Sequence, residues 1–117
     1  MINPIDLKNN LRQFIGTQQY HKLSLIPLLA TDGVSYFVKT AQAFWLVDFV
    51  AAMTYSKLKN EEFIVVKVKS ENEEVDIIFN NGNKTVLHKE HINYSDLPEG
   101  DWKFYVTDNV MMLPSEY

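Results

Sequence analysis

A single carboxylate, Asp48, stands in the seventeen residues from Thr40 to Ser56, among Phe44, Trp45, Leu46, Val47, Phe49 and Val50. A lone acid in so apolar a stretch must be partnered or titrate abnormally. Two uses follow. A buried carboxylate with a raised pKa could act as an acid or base, or hold a basic group of a ligand. Alternatively it could accept hydrogen bonds, or pair with Arg12, and fix helix packing, the commoner role of buried polar groups.

His88, Glu90 and His91 form the second constellation. His-x-x-His resembles metal-ligand spacing, but residues three apart on a strand point to opposite faces. The chain has no cysteine, and His21 is the remaining histidine. This inventory argues against a metal site or any cofactor. No serine lies in a Gly-x-Ser-x-Gly elbow, and the four glycines, Gly16, Gly33, Gly82 and Gly100, are isolated, so no glycine-rich phosphate loop is present. The acidic groups Glu61-Glu62 and Glu71/Glu73/Glu74/Asp76 fall on predicted turns and strand ends and read as solvated charge, or as a patch for a basic partner.

Charge narrows the classes further. Fifteen acidic against eleven basic side chains give a net charge of −4, and Arg12 is the one arginine. A phosphate-gripping surface clusters basic residues and leans on arginine for bidentate contacts, so this balance argues against nucleic acid. The start, Met1-Ile2-Asn3-Pro4-Ile5-Asp6, lacks the basic-then-apolar order of a signal peptide. The Thr40–Ser56 stretch is shorter than the about 20 apolar residues of a membrane span. Together with the lack of cysteine, this reads as a soluble cytoplasmic protein with no membrane partner. One hundred and seventeen residues fit one domain, 1–117.

The elements that would position these residues follow from period and punctuation. Asn3 as cap and Pro4 at the first turn open a helix; Leu7, Leu11 and Phe14 share its face and Gly16 suits its end, so the first helix is expected over Pro4–Ile15. Thr17–Ala30 has no clean period and reads as a packed loop with a helical turn at Pro27–Ala30. Thr31 caps the main helix, with Asp32 against its positive end. Val34, Phe37, Val38, Ala41, Trp45, Ala52 and Tyr55 lie on one face, with Asp48 projecting from it. With no glycine or proline from Val34 to Ser56, one long helix is expected, covered on several sides.

Beyond Asn60 the period becomes two. Ile64, Val66 and Val68 alternate with Lys67 and Lys69; Val75, Ile77 and Phe79 with Asp76 and Ile78; and Trp102, Phe104 and Val106 with Lys103 and Tyr105. Glu71-Asn72-Glu73 makes a polar turn, Asn81-Gly82 signals a type I′ hairpin, Thr85–Lys89 returns, and Asp108-Asn109 turns the chain into a short last strand, Val110–Leu113. The expected fold is α+β: two N-terminal helices on one face of an antiparallel meander of about five strands. The apolar end Val110–Tyr117 reads either as an edge strand docked on the core or as a methionine-rich edge offered to a partner.

Four blocks, Leu11–Thr17, Ala30–Val34, Ala43–Asp48 and Val110–Tyr117, resemble a family of small uncharacterised bacterial proteins, a domain of unknown function whose members are often carried by mobile elements. The resemblance implies a single-domain protein and makes Thr31, Asp32, Gly33, Trp45, Asp48 and the Leu-Pro-Ser-Glu-Tyr end the motif positions. It carries over no activity.

Two functions remain open. One is a non-catalytic protein-interaction module, an accessory or host-modulating protein of a mobile element. It would meet an unidentified protein partner, or a second copy in a homodimer, through Met111, Met112, Leu113 and Tyr117. The other is a small-molecule-binding protein or enzyme with a pocket between main helix and sheet, lined by Asp48, Trp45, Asp32, Tyr20 and His21.

Overall fold

The computed structural model describes residues 3–117, so Met1 and Ile2, at the head of the segment read for a leader, lie outside the described residues. It is an α+β protein in which helices cover one face of a seven-stranded mixed sheet.

Helix α1 spans Pro4–Leu11, and the Asn3 side chain accepts the Ile5 amide at 2.7 Å. It stops short of the expected Ile15. Arg12, Gln13 and Phe14 each donate to a carbonyl three residues back, a tighter winding that carries the chain off the helix before Gly16.

The main helix is two helices: α2, Asp32–Ala41, and α3, Phe44–Ser56. Gln42 adopts left-handed φ 54° and ψ 45°, and the amides of Gln42 and Ala43 both return to the Val38 carbonyl. That is the glycine-type helix ending made by a non-glycine residue, at a cost of about 1–2 kcal/mol. The break lets each helix bury its own stripe: Val34, Phe37, Val38 and Ala41 on α2, and Leu46, Val47, Val50, Ala51 and Met53 on α3. Ala52 and Tyr55, expected on the buried face, are exposed.

Thr17–Ala30 is not wholly loop. It holds β1, His21–Lys22, and β2, Leu29–Ala30, which pair antiparallel; of the residues expected to make a helical turn, Pro27 lies in a bend and Leu29 and Ala30 are strand. Five longer segments follow: β3 Phe63–Glu71, β4 Glu74–Asn80, β5 Val86–Ile92, β6 Gly100–Thr107 and β7 Val110–Met112. The order across the sheet is β1-β2-β7-β6-β3-β4-β5, with β2 and β7 parallel. Strand β7, expected at an edge, is therefore interior; β1 and β5 are the edges.

The polar turns expected at Glu71-Asn72-Glu73 and Asp108-Asn109 form there, but the type I′ geometry expected at Asn81-Gly82 falls on them instead. Asn72 and Glu73 (φ 54° and 65°) join β3 to β4, and Asp108 and Asn109 (φ 52° and 61°) join β6 to β7; both carry the paired positive φ of type I′ turns. The Asn81-Gly82 connection is a longer loop closed by the Asn81 amide on the Thr85 carbonyl.

Alternation sets the two faces of the sheet. Ile64, Val66, Val68, Val75, Ile77, Phe79, Trp102, Phe104 and Val106 point at the helices and are buried. Phe37 packs on Trp102 and Phe104 with ring centroids 5.2 Å apart, and Phe49 on Phe79 at 5.8 Å. These contacts fill the helix–sheet space. Among the described residues, no helix is long and apolar enough to cross a membrane.

Candidate functional site

The opposite face of the sheet has no helix over it. Its residues are set by register. Across four strands Lys103 stands opposite Lys67, Lys67 opposite Ile78, and Ile78 opposite Lys89. Two residues along, the next row reads Asp101, Lys69, Asp76, His91. Both rows line a concavity of about 840 Å³, the twisted outer surface of the sheet.

Charge is segregated between the rows. His91 donates to Asp76 at 2.6 Å and to Glu74 at 3.0 Å, and Lys69 lies 3.8 Å from Glu71. The Asp76 and Glu74 hydrogen bonds, in that order, raise the His91 pKa and favour the imidazolium. Among the described residues, Lys67, Lys89 and Lys103 have no carboxylate within ion-pair distance. Lys103 instead sits 5.6 Å from the centre of the Tyr105 ring. Like charges directly opposite each other destabilise a sheet, so the Lys67–Lys103 pair is an unfavourable arrangement that the fold retains.

Toward the other end of the same face, Phe63, Tyr105 and Tyr117 form a three-ring cluster with centroids 5.0–5.6 Å apart. Tyr117 is 74% exposed. The outer face thus runs from an aromatic cluster, through an uncompensated cationic row around half-buried Ile78, to a mixed row ending in acids.

The residues singled out in the sequence divide among other places. Asp32 and His21 come together: His21 Nε2 lies 2.8 Å from Asp32 Oδ1, and Asp32 Oδ2 accepts the Gln18 amide at 2.9 Å. The Gln18 amide first, then His21, holds the Asp32 carboxyl below its ordinary range. Tyr20 is 60% exposed and takes no part in these hydrogen bonds. Trp45 is half-buried and borders an open hollow with Ile92, Tyr94 and Asp96. Asp48, expected to point inward, is exposed on α3 and lines an open hollow with Lys22. The break at Gln42 rotates α3 so that its acid faces outward. Hence no pocket between main helix and sheet gathers the five residues.

Nor is the C-terminal run a methionine-rich edge. Met111 and Leu113 are buried at 0% and 3% exposure because β7 is interior; Met112 and Tyr117 lie toward the outer face. His88 and His91 point to opposite faces, as the strand period requires, with His88 3.0 Å from Glu90.

The start of α2 is fully occupied by the protein itself. The Asp32 amide donates to Thr17 Oγ1, the Gly33 amide to Glu116 Oε2, the Val34 amide to Thr31 Oγ1 and the Ser35 amide to the Thr31 carbonyl. Glu116 Oε1 also accepts from Thr31 Oγ1 at 2.6 Å and from the Leu113 amide at 3.0 Å. A carboxylate here is favoured by the positive helix end. Gly33 is required for the approach, since a Cβ would lie 2.5 Å from Leu113 Cδ1 and 2.7 Å from Glu116 Oε1. Thr31-Asp32-Gly33 and the Leu-Pro-Ser-Glu-Tyr end are therefore two halves of one structural lock, with no amide left for a ligand.

The model of a family of unknown function (DUF6876) matches residues 5–117, and the chain belongs to that family. A comparison with curated proteins gives no match. Among solved structures, a protein of unknown function from Enterococcus faecalis is similar, with a TM-score of 0.57 at 16% identity over 85% of this chain and 98% of that chain. At that identity the likeness speaks for the fold alone.

Proposed function

We propose that this member of a family of unknown function is a non-catalytic interaction module that receives an extended acidic segment of a partner protein on its open sheet face. The observation that carries the reading is the row Lys103–Lys67–Ile78–Lys89, three ammonium groups around an apolar floor with, among the described residues, no carboxylate within ion-pair distance.

Dimensions support a peptide. The row crosses three inter-strand spacings, about 14 Å at ~4.8 Å each. An extended chain places same-side residues i and i+4 about 14 Å apart at ~3.4 Å per residue. Acids at i and i+4 therefore span Lys103 to Lys89, one at i+2, about 7 Å along, falls between Lys67 and Ile78, and Tyr117 with Phe63 and Tyr105 offers apolar contact alongside. The acids Asp76 and Asp101, one row away, and Glu74, two rows away, oppose a polyphosphate spreading across the face, and no arginine is present there. Both features favour an acidic peptide over nucleic acid. An accessory protein of a mobile element, the setting the resemblance implies, would act in this way by occupying a host protein rather than by turnover.

The test is a titration of the labelled full chain with a peptide of alternating Glu and Val, followed by backbone NMR. Shifts confined to outer-face residues of β3–β6, weakening with salt and lost in Lys67→Glu/Lys103→Glu, are expected. Absence of binding, shifts elsewhere, or tighter binding of an oligothymidylate than of the peptide would overturn the reading.

A further inference from the structure

A second surface, on the helix side, is left unpartnered. Helix α3 has one charged residue in thirteen, and its solvent-facing row is Phe44, Asp48, Ala52 and Tyr55, spaced i, i+4, i+8, i+11. A surface helix ordinarily carries its charges on that row. Here Phe44 is 44% and Tyr55 65% exposed. Beside the row, the loop from Lys22 to Ile26 borders an open hollow of about 680 Å³ lined by Lys22, Leu25, Ile26, Asp48 and Ala52. Leu25 at its rim is 97% exposed, in effect a free-standing leucine.

The patch contains both halves of every contact it could make. It has a protruding apolar knob, Leu25, and an apolar recess floored by the small Ala52. It has one cation, Lys22, and one anion, Asp48; among the described residues neither forms an ion pair within the chain. A two-fold axis needs this property, because residue i must meet j while j meets i.

We infer that a second copy of this chain docks here, Leu25 of each protomer entering the hollow beside Ala52 of the other while Lys22 of each meets Asp48 of the other. The two ion pairs bracket the apolar contact and fix its orientation. The contact uses the helix side, so the lysine row on the other face remains free, and the inference stands independently of the acidic-partner reading.

Sedimentation equilibrium of the full chain tests it, with circular dichroism to confirm folding of each variant. The wild type is expected to dimerise in the micromolar range, and Leu25→Asp to be monomeric throughout. Asp48→Lys and Lys22→Asp, each alone, are expected to weaken association about tenfold or more by placing like charges opposite one another. An equimolar mixture of those two variants is expected to associate as the wild type does, since every cation then faces an anion. A wild type that stays monomeric at high concentration, a dimer unaffected by Leu25→Asp, or a mixture no better than its components would overturn the inference.

Discussion

Glu116 accepts the backbone amide of Gly33 at 3.1 Å across eighty-three residues of sequence. One carboxylate thereby caps α2, orders the turn after β7 through the Leu113 amide, and engages the Thr31 hydroxyl. Removing it in Glu116→Ala is expected to lower stability by about 1–2 kcal/mol in urea denaturation, the loss of a side-chain cap. Gly33→Ala is expected to be worse, at about 1–3 kcal/mol, because the methyl overlaps Leu113 as well as the carboxylate. An unchanged midpoint in both variants would remove the lock.

The charged row beside the lysines makes stability depend on pH. His91 has a raised pKa when folded, so its contribution is fully present below the ordinary value of 6.5 and is lost as pH rises through the folded value. His91→Ala is expected to flatten the stability profile on that alkaline limb while leaving the acid limb in place. NMR titration of the imidazole is expected to give a midpoint above 6.5.

Asp32 behaves oppositely. Its pKa is lowered, so its contribution is present above the unfolded value near 3.8 and is lost as pH falls through the folded one. Asp32→Asn is expected to remove part of the acid-side loss of stability, measured by thermal melts from neutral pH downward. Equal acid sensitivity in the two proteins would show that the Gln18 and His21 contacts do not form.

Glu73 holds φ 65° in the β3–β4 turn, where its side chain has no advantage. Glu73→Gly is expected to stabilise by about 0.5–1 kcal/mol by creating an Asn-Gly type I′ turn. A lower urea midpoint would contradict the turn geometry.

Lys67→Glu separates folding from binding. It relieves the opposition of Lys67 and Lys103 and is expected to raise stability by about 0.2–1 kcal/mol. The same change is expected to abolish binding of the alternating Glu–Val peptide. A variant both less stable and fully binding would assign the row a structural purpose instead.

Much of the local structure was legible in the sequence. Asn3 and Thr31 cap helices as their types suggest, and the alternation of Ile64, Val66 and Val68 named the inward face of β3. What escaped was decided by tertiary contact. Gln42 carries no helix-breaking signature, and its left-handed conformation is stabilised by packing on both sides of the break rather than by propensity. A continuous helix would turn Asp48 inward; the break turns it out. Strands β1 and β2 are two residues each, too short for any period to show. The lysines lay in plain view on separate strands, but only register converts Lys67, Lys89 and Lys103 into a row, and register is fixed by side chains on the other face of the sheet. Thr31 reads as a helix cap from its type alone, whereas its union with Glu116 is a matter of topology.

The interior position of β7 has a bearing on biosynthesis. Strands β1 and β2 attach to the remaining five solely through β7, so the segment from Thr17 to Ala30 has no sheet to join until residues 110–112 have left the ribosome. A nascent chain stalled before Val110 carries its paired β1–β2 unit undocked and the start of α2 without its Glu116 carboxylate. Completion of the fold thus waits on β7, and a chain that has not yet exposed it lacks both contacts.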